Sequence, residues 1–65
     1  MKFTIRQART YRGYTQREMA QKLGVTKVTY INYEKGRTKM KVDRAAKFAQ
    51  IVDLPRDNII FLPSY

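Results

Sequence analysis

The chain has 65 residues, and fourteen Lys and Arg against five Asp and Glu give it a formal charge of +9. It contains no Cys and no His, which excludes a disulfide frame and the common zinc sites. A domain this short buries only ~60% of its unfolded surface, so it can build one modest core.

No apolar run reaches the ~18 residues of a membrane span, and the N-terminus lacks a signal-peptide core. The composition fits a cytoplasmic protein with no membrane partner. The excess of positive charge points to a polyanion, with nucleic acid ahead of an anionic membrane. A hydrophobic content of 43% argues for a folded core over a disordered basic tail. Enzyme is the weakest class: Asp43, Asp53 and Asp57 form no acid/base motif, and Ser64 stands without a base. No cofactor, metal or small-molecule ligand is expected.

In chain order, Met1 to Thr4 is a short leader that could be extended, with Phe3 directed inward. Thr4 caps a first helix to about Arg12, with Ile5 and Ala8 on its buried face, and Gly13 ends it. Tyr14 precedes Thr15, which with Glu18 three residues on makes a capping box. Met19, Ala20 and Leu23 share one face of this second helix. Gly24 ends it, Thr26 caps a third helix, and Gly36 lies just past its end.

A basic loop, Arg37 to Lys41, follows. Val42, Ala45, Ala46, Ala49 and Val52 keep the helical spacing of a fourth helix. Asp53 is its left-handed terminator, and Pro55 prevents continuation. Arg56 to about Phe61 reads as a short fifth helix, ended by Pro63. The expectation is an all-α, single-domain bundle of about five short helices, over residues 4–12, 15–23, 26–35, 42–52 and 56–61.

The third helix has two unlike faces. Thr26, Thr29, Tyr30 and Tyr33 cluster on one side, where the two rings should face the core. Lys27, Val28, Ile31, Asn32 and Lys35 occupy the other. Two apolar residues on an outward face mark a surface that meets something. Small apolar side chains can read a thymine methyl, Asn the adenine edge, and Lys the guanine acceptors.

Charge placement points the same way. Arg17 and Lys27 sit in the first turns of their helices, where the dipole disfavours cations. Both make sense if those helix ends face phosphates. Glu34 is an acid in the last turn of the third helix, again the wrong end. It calls for a cationic partner, and Arg9 is the candidate.

These residues resemble the helix-turn-helix of the phage lambda repressor and Cro-like family, the XRE family. The resemblance is carried by Gln16, Met19 and Ala20, then Leu23-Gly24-Val25 in the turn. Tyr30 and Tyr33 follow as core positions, then Glu34-Lys35-Gly36. Ile5, Ala8, Arg9 and Gly13 match the family's first helix. Phe48-Ala49, Val52, Leu54 and the Asp57-to-Phe61 end match its last two.

The resemblance implies a helix-turn-helix DNA-binding domain whose third helix lies in the major groove of a double-stranded operator. Lys27, Val28, Ile31 and Asn32 would read bases. Gln16, Arg17, Thr26, Lys35, Arg37, Thr38 and Lys39 would contact phosphates. Arg9 with Glu34 would be a structural ion pair. The implied role is a small transcriptional regulator, a repressor of phage or mobile-element type in a bacterium.

Two departures stand out. Tyr30 replaces the usual Ile or Val, and Met40-Lys41 replaces a frequent Pro-Ser, leaving the fourth helix without a good N-cap. The chain runs from an initial Met to Tyr65, as a complete small protein would.

A single such domain usually needs a second half-site, and hence a homodimer. The apolar run Ile59, Ile60, Phe61 and Leu62, with Tyr65, is the expected dimer contact; covering the first and fourth helices is the alternative. Two other functions stay open: an antitoxin-like protein-interaction module on the same fold, and a non-specific nucleic-acid binder.

Overall fold

Each of the four helices carries its own stop signal. The computed structural model describes residues 2–61. In order it has β1 (Phe3–Thr4), α1 (Ile5–Tyr11), α2 (Gln16–Leu23), α3 (Lys27–Lys35), α4 (Val42–Val52), a 3-10 turn (Arg56–Asn58) and β2 (Ile59–Ile60).

Thr4, Thr15 and Thr26 accept the backbone N–H three residues on, and Thr4 with Gln7 and Thr15 with Glu18 form reciprocal capping boxes. At the other ends one motif recurs. The N–H groups of Tyr14, Val25, Arg37 and Leu54 each bond the carbonyl five residues back, at Arg9, Ala20, Asn32 and Ala49. Such closure needs a residue at positive φ just before the donor. Gly13, Gly24, Gly36 and Asp53 occupy those places. Tyr14, Val25 and Leu54 then turn inward against the core.

The core joins Ile5 and Ala8 of α1, Met19, Ala20 and Leu23 of α2, Tyr30 and Tyr33 of α3, and Phe48, Ala49 and Val52 of α4. Met40, from the loop before α4, is buried with them. Lys41 at the N-cap of α4 makes no side-chain cap bond, so the buried Met40 anchors this end instead. The buried stripe of α4 differs from the sequence expectation at its start. Val42 is 75% exposed, and Phe48 lies wholly inside. Val42 opens the helix and points away from the face that Ala45, Phe48 and Val52 share.

The C-terminal element also differs. A fifth helix over 56–61 is not what forms. One 3-10 turn is closed by the Asn58 N–H on the Pro55 carbonyl. The chain then extends into β2, which pairs in parallel with β1, Phe3 opposite Ile59 and Thr4 opposite Ile60. A helix of six residues is barely worth nucleating. Two consecutive β-branched residues favour extension, and β1 supplies the backbone partners. Leu62, Pro63 and Tyr65 lie outside the described residues. No helix among the described residues is long and apolar enough to cross a membrane.

Two arginines tie helix ends together. Arg12 donates from Nε to the Val52 carbonyl at 2.6 Å and from Nη2 to the Asp53 carbonyl at 3.2 Å. Arg44 donates from Nη1 to the Leu23 carbonyl at 2.8 Å. These carbonyls belong to the last turns of α4 and α2 or lie just past them. There the backbone lacks intrahelical donors and carries partial negative charge.

Asp53 holds φ 55° and ψ 47°, a conformation that favours Gly over any residue with a Cβ. Its carboxylate is 94% exposed and reaches Arg12 only at 4.0 Å, a contact of little worth. Asp53→Gly should therefore raise stability by about 0.5 kcal/mol, backbone relief outweighing glycine's extra unfolded-state freedom. The urea midpoint would move up; a fall would show that the Arg12 contact matters more than the strain.

Candidate nucleic-acid interface

The turn between α2 and α3 is set by Gly24 at φ 77° and the Thr26 cap. It holds α3 across α2 with Tyr30 and Tyr33 facing inward. The opposite face then has no choice but to point out. Lys27 is exposed, Val28 is 69% exposed, and Ile31 and Asn32 are half-buried. Lys35 is exposed at the end of the helix, and Arg37, Thr38 and Lys39 are exposed in the loop beyond it. Arg17 is exposed at the start of α2, where Gln16 is half-buried.

Not every residue of this set has its polar atoms facing out. The Thr26 hydroxyl accepts from the Thr29 N–H and donates to the Thr29 hydroxyl, so it serves the helix first. The Gln16 amide donates to Glu34 Oε1 at 3.1 Å. The carbonyl of Asn32 anchors the following loop, accepting from Gly36 and from Arg37 at 3.0 Å.

Glu34 is the junction of three helices. Its Oε2 accepts from Arg9 Nε of α1 at 2.6 Å, and its Oε1 accepts from Gln16 of α2. The side chains of Arg9 and Glu34 are only 11% and 6% exposed. Arg9 also donates from Nη1 to the Tyr14 carbonyl at 2.8 Å. Burial on its own would raise the Glu34 pKa. The hydrogen bonds from Arg9 and its neighbours outweigh that and hold it below the ordinary 4.5. Burial likewise opposes the Arg9 charge, and the bond and charge of Glu34 more than restore it.

The Tyr30 hydroxyl lies beside this pair and is electrostatically felt by both members. It is wholly buried and has no partner in hydrogen-bonding geometry. It lies close enough to Glu34 to help hold the carboxylate in its charged form. Burial drives its own pKa far above that of a free phenol, so it stays neutral.

Between α1, the start of α2 and the outer face of α3 lies an open cleft of about 580 Å³. Arg6, Arg9, Gln16, Ile31, Glu34 and Lys35 line it. The cleft thus brings together Gln16, Ile31 and Lys35 from the expected contact set with the Arg9–Glu34 pair. Lys27, Val28 and the 37–39 loop lie outside it. Arg6 is the member that sequence reasoning missed. Its signal was spacing: three residues before Arg9, it shares a helical face with it.

Of the expected dimer residues, Ile59 needs correction. It is 6% exposed, spent on the core of its own chain through the β1 pairing. Ile60 and Phe61 are half-buried, and Phe61 sets its ring edge-on to Phe48 at 6.1 Å. Leu62 and Tyr65 are outside the described residues.

Glu34→Ala should cost about 3 kcal/mol at neutral pH, because it strands a nearly buried guanidinium. The folded-state pKa of Glu34 lies below its unfolded value. The stabilisation is therefore complete above pH 4.5 and drains away as pH falls through the depressed value. Urea titrations of both proteins at pH 7 and pH 3 should show the gap narrowing in acid. A gap independent of pH would mean that lost packing, and not the charge, sets the cost.

A family model described as helix-turn-helix matches residues 5–59. No curated protein and no solved structure matches the chain. The matched span runs from the first residue of α1 to β2 and takes in the whole core, the Gly24 turn and the outward face of α3. The chain belongs to the helix-turn-helix family of lambda repressor and Cro-like type, the XRE family of DNA-binding transcription regulators.

Proposed function

We propose that this protein is a sequence-specific binder of double-stranded DNA that lays α3 in the major groove and represses transcription from a phage or mobile-element operator. The observation that carries the reading is Val28. It is 69% exposed in the first turn of a helix whose other face is pinned by two buried tyrosines. No described residue covers it, and Lys27, Ile31 and Asn32 neighbour it on the helix. An apolar side chain flanked by a cation and an amide is the chemistry that separates base pairs in the major groove: methyl contact for thymine, an amide for adenine, an ammonium for guanine.

Around this reading face, Gln16, Arg17, Thr26, Lys35, Arg37, Thr38 and Lys39 serve as backbone contacts. Phosphate contacts fix register and carry no sequence information directly. The protein acts as a homodimer on two half-sites. With Ile59 consumed by the core, the dimer contact falls on Ile60, Phe61 and the residues beyond. The bacterial cytoplasm is the setting this role requires.

Selection of bound duplexes from a random pool should enrich one sequence. On that sequence Asn32→Ala should lose about 1–3 kcal/mol of discrimination at a single base pair. Lys39→Ala should weaken all duplexes alike. A pool that yields no consensus would leave only a non-specific binder. Binding to a protein with little salt dependence would favour the interaction module, because phosphate contacts give a steep dependence.

Sedimentation of the protein with selected DNA should give two chains per duplex, and Ile60→Lys should reduce that to one. One chain per duplex in the unaltered protein would refute the dimer.

A further inference from the structure

The Arg9–Glu34 junction explains why one cation lines the cleft beside α3, but not why a second does. Arg6 stands one turn before Arg9 on the same face of α1. Its side chain is exposed and makes no ion pair or hydrogen bond among the described residues. It sits in a first turn that holds no acid, where the helix dipole disfavours a cation. Nothing in the fold rewards Arg at this position.

The cleft itself points to an anion. Three cations, Arg6, Arg9 and Lys35, face a single carboxylate, Glu34. That carboxylate is already bonded on both oxygens, by Arg9 and Gln16. The lining is therefore net positive, with Arg6 contributed by α1 and Lys35 by α3. A pocket for an uncharged small molecule is mostly apolar with a few polar anchors. Here Ile31 and Tyr14 are the apolar members of a lining otherwise made of charged, amide and hydroxyl side chains. Ile31 and Lys35 both belong to the outer face of α3, so a duplex held against that face would bring its backbone to the mouth of the cleft.

We propose that this cleft seats one backbone phosphate of the bound duplex, and that Arg6 is the arm that grips it from α1. The inference rests on the DNA-binding reading above. Arg9 lies in the same cleft but is committed to Glu34, so the two arginines of α1 divide the work. The inner one fixes α3, and the outer one fixes the DNA strand beside it. A guanidinium suits the task because its planar fork can hold two phosphate oxygens at once.

The test measures binding of a selected duplex across a range of salt concentrations for the unaltered protein, Arg6→Gln, Arg6→Lys and Lys47→Gln. Lys47 is exposed on α4 and does not line the cleft, so its variant removes the same charge elsewhere. Arg6→Gln should lower the slope of log affinity against log salt by about 0.9, the share of one phosphate contact. Arg6→Lys should keep most of the slope, and Lys47→Gln all of it. Unchanged melting temperatures would confirm that the variants stay folded.

An unaltered slope in Arg6→Gln would overturn the contact while leaving the DNA-binding reading intact. Equal losses in Arg6→Gln and Lys47→Gln would also overturn it, assigning Arg6 only to the general field. If the unaltered protein binds no duplex, the reading itself fails and the inference falls with it. Thermal stabilisation by millimolar inorganic phosphate, lost in Arg6→Gln with no change in DNA slope, would give the cleft to a free anion and overturn the backbone contact.

Discussion

The orientation of α3 depends on one carboxylate. Glu34 lies at the end of the helix where backbone carbonyls already gather negative charge, so the chain could not tolerate it there unpaired. Arg9 and Gln16 each take one of its oxygens, and in doing so α1 and α2 are fixed to the C-terminal end of α3. Arg9 also holds the Tyr14 carbonyl, which closes α1 and leads into the Thr15 cap. Apolar packing of Tyr30 and Tyr33 would keep α3 against the core but would let it roll. Directional bonds to a nearly buried carboxylate do not. They set which residues of α3 look outward, and everything said of Lys27, Val28, Ile31 and Asn32 follows from that rotation.

The same arginine chemistry changes how the net charge of +9 should be read. Arg9 is consumed by Glu34, and Arg12 and Arg44 aim their donors at the ends of α4 and α2. Arg12 and Arg44 stabilise the fold by supplying donors that the last turn of a helix lacks, and Arg9 by neutralising a nearly buried carboxylate. Composition alone counts them with the cations left exposed on the surface. The exposed cations around the outward face of α3, Arg6, Arg17, Lys27, Lys35, Arg37 and Lys39, are a different population. They surround α3 from three directions: α1, the start of α2, and the loop after α3. A chain this small has little core to spend on holding its helix ends, so Arg serves both purposes.

What could be read from the sequence was what is local. Thr caps, a capping box, and Gly or Asp at positive φ act within four or five residues, so the helix ends were legible. Glu34 announced its need for a cation by sitting at the wrong end of a dipole. What escaped was non-local. Ile59-Ile60 becomes a strand because Phe3-Thr4 pairs with it from the other end of the chain, and no window around residue 59 contains that information. Val42 fits the helical period as well as Phe48 does; only the position of the other helices decides that Phe48 is inside. Nothing local shows that the Gln16 amide also reaches Glu34, eighteen residues on. Arg6 became visible once the cleft it lines was in view.

Tyr30 shows how the non-local and local parts meet. Members of this family commonly carry Ile or Val at the corresponding place, and a plain aliphatic would need no partner. Here the ring is wholly buried beneath the Glu34–Arg9 junction, and its hydroxyl finds no hydrogen-bonding geometry. A buried hydroxyl short of good hydrogen-bonding geometry costs up to about 1–3 kcal/mol, less here because Glu34 and Arg9 lie beside it. The ring volume must offset that cost, since truncation to the aliphatic norm would open a cavity between α1, α2 and α3. The hydroxyl also lies where the surroundings are least apolar in the core, beside a carboxylate and a guanidinium. Tyr30 is thus a wedge with a polar tip set at the polar junction. It keeps α3 at its distance from the other helices, while Glu34 keeps its rotation. Distance and rotation together define the outward face, and Val28 is exposed on it as a consequence of both.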